Sequence, residues 1–253
     1  MQNNEKNIHL SVVIPAYNEE ENLKFGVSQE LFKYLEKQSF SWEVIFVDDG
    51  SKDSTVRVLE DITRSRTNVR VLKEPHRGKG GTVIAGMFKA VGEIILFCDM
   101  DQATPISELD KILPKFRENY DVVIGSRKGR EGAPFLRKIM AWGFSVLRTL
   151  VLRLPFKDTQ CGFKAFKKDA ARNIFEKMKI FRGSMLGEKT GVTAGFDLEL
   201  LYIARKLGLR IAEVEVVWHH KESERVTPLR DSWEGLRDLV RIRLNALAGK
   251  YKV

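Results

Sequence analysis

The sequence predicts an α/β fold: a doubly wound, mostly parallel sheet flanked by helices. Three observations predict it. Strand-like apolar runs alternate with helix-like stretches through short connections over the first half of the 253 residues, the pattern of repeated βαβ units. The run Glu93-Ile94-Ile95-Leu96-Phe97-Cys98 is apolar after its first residue, as in a central strand covered on both faces. It ends abruptly in Asp99-Met100-Asp101, and two earlier apolar runs end in the same way, at Pro15-Ala16-Tyr17-Asn18-Glu19 and at Asp48-Asp49.

Taken in order, residues 8–16 read as the first strand and 19–37 as a helix whose acidic opening suits the positive end of the helix dipole. Residues 42–47 form the second strand, 52–66 a helix with Asp53 or Ser54 as its cap, and 69–72 the third strand. A helix to about residue 91 follows the turn Gly78-Lys79-Gly80-Gly81, and the Asp-x-Asp strand comes next. Residues 107–119 predict a helix bent or ended near Pro114, and 121–125 a strand. Residues 133–154 form an unusually apolar helix carrying arginines at 137, 148 and 153. A short strand at 163–166 and a helix at 169–178 follow. Residues 180–195 hold four glycines and few apolar anchors, which reads as a lid or as a surface insertion. A helix at 196–207, a strand at 209–218 and an amphipathic C-terminal helix at 229–247 complete the chain.

The net charge of +9 favours polyanionic partners, whether nucleic acid, an anionic membrane surface or phosphorylated substrates. Nucleic-acid binding predicts a basic stripe with exposed aromatics. The arginines instead bracket the apolar helix and the segment after Trp218, so no nucleic acid is expected. The two cysteines, Cys98 and Cys161, have no metal-ligand spacing and make no disulfide framework. The polar start of the chain and the lack of an apolar stretch near the roughly 20 residues of a membrane span predict a cytoplasmic protein.

In extended backbone, residues i and i+2 point the same way, so Asp99 and Asp101 can reach one hard cation, Mg²⁺ or Mn²⁺. Three strand ends on one edge of a parallel sheet, carrying a tyrosine and several carboxylates, suit a nucleotide diphosphate. The ring lies against the base, a carboxylate meets the base or ribose, and a cation bridges the phosphates. Gly78-Lys79-Gly80-Gly81 either offers backbone N–H groups and Lys79 to phosphate, or lets its helix pack close to the sheet. It lacks the spacing of a Walker loop and of a dinucleotide fingerprint.

Ser11-Val12-Val13-Ile14-Pro15-Ala16-Tyr17-Asn18-Glu19, Val47-Asp48-Asp49-Gly50-Ser51 and Asp99-Met100-Asp101 together resemble the family 2 glycosyltransferases of GT-A fold. Within them, Arg77-Gly78-Lys79-Gly80-Gly81 and Asp158-Thr159-Gln160-Cys161-Gly162-Phe163-Lys164-Ala165-Phe166 are similar to the dolichyl-phosphate β-glucosyltransferases and their dolichol-phosphate mannosyltransferase relatives. The resemblance implies one domain over residues 1–253. Residues of about 8–126 bind the nucleotide sugar, and those of about 127–253 bind the acceptor. The implied reaction is inverting transfer of a hexose, glucose from UDP-glucose, to a polyprenyl phosphate, dolichyl or undecaprenyl. A GDP-mannose-dependent transferase and a non-catalytic nucleotide-binding module are the alternatives.

By the resemblance, Pro15, Ala16, Tyr17, Asn18 and Glu19 line the nucleotide pocket with Lys79, Asp99 and Met100, and Asp48 or Asp49 contacts the base. Asp99 and Asp101 hold the metal. The mannosyltransferases carry a Gln two positions after the second Asp, where this chain has Ala103, so the adjacent Gln102 or water completes the coordination. Arg127, Arg137, Ser223 and Arg225 match groups that bind acceptor phosphate. Asp158 matches a position near the anomeric centre, where it orients the acceptor, stabilises developing charge or only forms a turn. A phosphate monoester is largely dianionic at neutral pH and needs positioning more than a strong base. The helix at 133–154 reads as a peripheral membrane contact, and most of the last helix as core packing.

Overall fold

The computed structural model describes residues 8–127, 135–180, 195–219 and 228–251, and in the helices Phe135–Leu152 and Pro228–Leu247 it describes side chains from residues 143 and 233 onward. Seven strands form one sheet in the order β3-β2-β1-β4-β6-β5-β7. They are β1 Leu10–Ala16, β2 Trp42–Asp48, β3 Val69–Lys73, β4 Ile94–Phe97, β5 Val122–Arg127, β6 Lys164–Lys167 and β7 Ile211–Val216. The chain lays β2 and β3 outward on one side of β1, then returns to place β4 on the other. That reversal opens a crevice at the carboxyl ends of β1 and β4, where open α/β sheets bind ligands.

The register brings the expected strand ends together. Ala16 pairs with Asp48 and Val13 with Phe97, all in parallel strands, so the residues after β1, β2 and β4 leave the sheet at one edge. β6 alone runs antiparallel, between β4 and β5. It therefore begins at the edge where its neighbours end, and the Asp158–Phe163 segment before it joins the same edge. β5 and β7, parallel to each other, deliver Arg127 and Trp218 there as well.

Alternation along the strands feeds two cores. Val13, Ile45, Ile95 and Phe97 face one side of the sheet, where Val83, Ile84, Ile174, Phe175 and Leu201 from the helices cover them. Val12, Ile14, Val44, Phe46 and Leu96 face the other, against Leu31, Phe32, Leu59 and Ile112. Each such fully buried side chain contributes about 1.5–3 kcal/mol of transfer free energy.

The helices are α1 Glu20–Lys24, α2 Val27–Leu35, α3 Thr55–Arg64, α4 Gly78–Lys89, α5 Leu109–Arg117, α6 Phe135–Leu152, α7 Lys168–Lys177, α8 Gly195–Lys206 and α9 Pro228–Leu247. The single helix expected at 19–37 is divided, because Gly26 takes a left-handed conformation (φ 80°) that interrupts the hydrogen-bond ladder. A one-turn 3₁₀ segment, Ile106–Glu108, precedes α5, and the helix passes through Pro114 to end at Arg117. α4 packs hard on the sheet. A Cβ at Gly86 would lie 2.4 Å from Val13 Cγ1 and 2.8 Å from Val47 Cγ2. The segment expected as a lid lies outside the described residues from 181 to 194.

α9 departs from the expectation of core packing. Leu239 and Ile242 are buried, but Trp233, Val240, Leu244 and Leu247 are exposed, as are Val146, Leu147 and Leu150 of α6. Among the described residues no helix is long and apolar enough to cross a membrane.

Candidate active site

The β1–α1 and β2–α3 turns are tied to each other by local polar groups. The Asn18 N–H donates to Ser51 Oγ (3.0 Å), the Lys52 N–H to Asn18 Oδ1 (2.8 Å) and the Glu19 N–H to Thr55 Oγ1 (2.7 Å). Asp48 and Asp49 are both buried. Asp48 accepts the N–H groups of Gly50 (3.0 Å) and Ser51 (3.2 Å). Asp49 accepts those of Arg77 (2.7 Å) and Gly78 (2.9 Å), and His76 Nδ1 lies 2.9 Å from its second oxygen. Asp48 or Asp49 was expected to contact the base, and both carboxylates hold the turns that frame the pocket. One of these bonds engages the Gly78 N–H, the first of the Gly78-Lys79-Gly80-Gly81 turn that was expected either to offer N–H groups to phosphate or to let its helix pack close to the sheet. At the same edge the Tyr17 and His76 rings stack, with centroids 4.4 Å apart and planes 25° from parallel.

The floor of the crevice is acidic. Asp99 Oδ1 lies 2.5 Å from Lys79 Nζ. Burial opposes the charge on Lys79, but Asp99, Asp197 and Asp101 around it outweigh that and hold the ammonium above its ordinary range. Gly162 makes room for Asp99, since a Cβ there would lie 2.1 Å from Asp99 Oδ2. Asp101 Oδ1 accepts the Ala103 N–H at 2.9 Å, which fixes the turn after the strand. Gln102, with φ 51°, turns its amide nitrogen back onto the Asp99 carbonyl (3.3 Å) and Cys98 Sγ (3.6 Å), where it braces the loop. Nothing in that placement favours it as a third metal ligand. Met100 is also turned inward, its side chain part of the core, so only its backbone borders the crevice. Burial pushes the Cys98 thiol up to about 12, which keeps it protonated beside these carboxylates.

Among the described residues no group of three or more His, Cys, Asp and Glu side chains makes a metal site. Two hard carboxylates at a strand end fit a cation whose remaining ligands are diphosphate oxygens and water, the usual arrangement for Mg²⁺.

Across the crevice lies an ion pair. Arg127 Nε and Nη2 donate to Asp158 Oδ2 (2.6 Å) and Oδ1 (2.9 Å), and the Arg127 N–H adds a third bond at 3.3 Å. Burial raises the tendency of Asp158 to hold a proton, but the bonds and charge of Arg127 outweigh it and keep the carboxyl below the ordinary carboxylate range. Asp158 is thus ionised and a weak base. Arg127 also stacks over the Trp218 ring, its Cζ 5.5 Å from the centroid. Beside it, the fully buried Lys164 bonds the Cys161 carbonyl and Asp197 Oδ1 (2.6 Å).

The structure therefore brings Tyr17, Lys79, Asp99, Asp101, Arg127 and Asp158 to one edge of the sheet. Ser223 and Arg225 lie outside the described residues, as does the side chain of Arg137. His76, Lys164, Asp197 and Trp218, to which the sequence assigned no role, stand among these groups. Lys164 left a signal: a charged residue inside a strand motif implies a buried partner.

A carboxylate-floored crevice at the switch point of an open, mostly parallel sheet, faced by a paired arginine, defines an α/β protein with a ligand site of the nucleotide-binding kind at its strand ends. The family model for glycosyl transferase family 2 matches residues 11–175, and the chain belongs to that family. It is 36% identical to the dolichyl-phosphate beta-glucosyltransferase of Dictyostelium discoideum over 98% of this chain and 77% of that one, and 34% identical to the human enzyme of the same name over 96% and 78%. Among solved structures it resembles mannosyl-3-phosphoglycerate synthase from Rubrobacter xylanophilus (TM-score 0.68, 17% identity, 96% of this chain and 76% of that one). It also resembles glucosyl-3-phosphoglycerate synthase from Mycobacterium tuberculosis in complex with Mn²⁺, UDP-glucose and phosphoglyceric acid (TM-score 0.62, 18% identity, 93% and 80%). These two share the fold, and the expectation of a GT-A sheet holds. The chain is a glycosyltransferase.

Proposed function

We propose that the chain transfers glucose from UDP-glucose to a polyprenyl phosphate, dolichyl or undecaprenyl, with inversion at the anomeric carbon. The observation that carries the reading is the placement of the Lys79–Asp99 floor and the Arg127–Asp158 pair on one sheet edge. Their separation between the two halves of the chain matches a donor side and an acceptor side. The relatives named dolichyl-phosphate beta-glucosyltransferases supply the sugar and the acceptor class.

In this reading Tyr17 stacks on the base, and the backbone from Pro15 to Glu19 borders the nucleotide. Asp99 and Asp101 would hold Mg²⁺ or Mn²⁺, the latter present with UDP-glucose in the glucosyl-3-phosphoglycerate synthase of this fold. When bound, such a cation neutralises charge on the departing diphosphate. Lys79 adds a second positive charge there. Arg127 turns Nε and Nη2 to Asp158, and its Nη1 edge, which makes no hydrogen bond among the described residues, faces the acceptor phosphate with Arg137, Ser223 and Arg225. The dianionic phosphate attacks without deprotonation, and ionised Asp158 keeps Arg127 oriented while stabilising positive charge on the sugar. The exposed apolar residues of α6 and α9, with Arg237, Arg241 and Arg243 beside them on α9, rest on the membrane that holds the lipid.

Purified protein is incubated with Mn²⁺, polyprenyl-phosphate vesicles and radiolabelled UDP-glucose or GDP-mannose. A β-linked, solvent-extractable product from UDP-glucose alone is expected. Transfer from GDP-mannose instead overturns the donor, and no transfer to either lipid overturns the acceptor.

A further inference from the structure

Asp158 sits in a loop whose neighbours are held from two directions. Arg148, on α6 and 4% exposed, donates from Nη2 to the Phe156 carbonyl and to Ser145 Oγ (2.9 Å), and from Nη1 to Thr159 Oγ1 (3.1 Å). Glu213, on β7, accepts the Lys157 N–H at 3.0 Å and the Asp158 N–H at 2.8 Å. Four consecutive residues, 156 to 159, are thereby fixed by two opposite charges from two separate elements, and Arg127 fixes the carboxylate between them.

Arg148 is a costly residue to keep for packing. Burial disfavours its charge, opposed by the more distant charges of Asp158 and Glu213. Among the described residues no carboxylate lies within ion-pair distance of it, and its Nε has no hydrogen-bond partner. A methionine or leucine would fill the space without that desolvation. What an apolar residue cannot supply is the pair of bonds to Phe156 and Thr159.

We propose that Arg148 and Glu213 are positioning residues for the transfer reaction, acting on the Asp158 carboxylate through the loop of residues 156–159. The proposal rests on the reading of Asp158 as a group facing the reacting sugar. Arg148 also joins the loop to the helix that carries Val146, Leu147 and Leu150 on its exposed face. The element proposed to touch the lipid surface is then bonded to the loop that sets the reaction geometry.

The test uses the full chain with UDP-glucose and polyprenyl-phosphate vesicles, with calorimetric UDP-glucose binding to count folded sites. Arg148→Lys keeps the charge but cannot span both acceptors, and a misplacement of Asp158 by about 1 Å is expected to lower kcat per binding site about 10–100-fold. The donor Kd stays within about threefold, since no donor-side bond is changed. Glu213→Gln keeps one acceptor and loses the other, so its kcat falls less. The decisive comparison is Asp158→Asn with and without Arg148→Lys. Because Arg148 acts through Asp158, the double variant is expected within about threefold of Asp158→Asn alone. Multiplicative losses, or unchanged kcat in both Arg148→Lys and Glu213→Gln, overturn the proposal. If Asp158→Asn itself transfers at the wild-type rate, the role given to Asp158 fails, and this inference with it. Should Arg148→Lys bind no donor, Glu213→Gln, alone and combined with Asp158→Asn, decides on the same criteria.

Discussion

The two sides of the crevice are built by different means. On the side proposed for the donor, Asp48 and Asp49 accept backbone N–H groups of their own turn or the next loop, and one lysine–carboxylate pair, Lys79–Asp99, lies on the floor. On the side proposed for the acceptor, charged side chains answer one another and the loop between them: Arg127 with Asp158, Lys164 with Asp197, Arg148 and Glu213 with residues 156–159. The first arrangement is mostly built from backbone donors, which a side-chain substitution nearby leaves in place. The second depends on paired charges, so any change at one partner is felt by the other.

The comparison predicts that donor-side changes alter UDP-glucose affinity, and that acceptor-side changes alter turnover or stability with the donor Kd preserved. Gly162→Ala should have the largest effect. Its Cβ would displace Asp99, and both donor affinity and transfer rate should fall, the rate by about 100-fold or more, measured by calorimetry and product formation. Unchanged donor affinity would mean that Asp99 is not on the donor side.

Arg127→Ala leaves the Asp158 carboxylate buried and unanswered, which should cost about 3–5 kcal/mol in urea unfolding. A donor Kd shift as large as that of Gly162→Ala would break the distinction between the sides. Asp49→Ala should cost about 1–3 kcal/mol by orphaning the buried N–H groups of the Arg77–Gly78 turn, read by thermal unfolding together with weaker donor binding. The charge of Asp158 gives a pH signature. Its folded pKa lies below the unfolded value, so the contribution is complete above pH of about 4 and lost as pH falls through the folded pKa. Asp158→Asn should flatten that acid limb, and an unchanged limb would show that the pair contributes nothing. Tyr17→Ala should have the smallest effect, removing a ring stack of about 0.5–1.5 kcal/mol and weakening UDP-glucose binding with kcat preserved.

Legibility in the sequence followed the same division. The donor side rests on local patterns, an apolar run ending in carboxylates or a turn with Gly50 and Ser51, and periodicity alone places these at one sheet edge. Even there a residue's part was not legible, because short spacing serves a turn as readily as a ligand: Asp48 bonds its own turn, and Gln102 bonds back onto its own loop. On the acceptor side Arg127 and Asp158 are 31 residues apart, and Asp158 and Glu213 are 55 apart. No local pattern reports such pairs. The antiparallel course of β6 was equally hidden, since a four-residue strand of sequence Lys-Ala-Phe-Lys carries no pattern that distinguishes one direction from the other. Arg148 left a trace, a lone charge in an apolar helix, but its partners came from the loop beyond.

The reversed strand has a consequence for how this architecture is built. Because β6 enters the sheet from the edge that the others leave, the stretch between β5 and β6 is closed at both ends by hydrogen-bonded ladders. It behaves as an insert between two fixed posts. None of its described residues takes part in the pairing of β1 with β2 or β4, so the ladder beneath the proposed donor site is built without it. Within that insert the residues tied to groups outside it are the constrained ones: Asp158, paired with Arg127 and Glu213, and Gly162, which leaves room for Asp99.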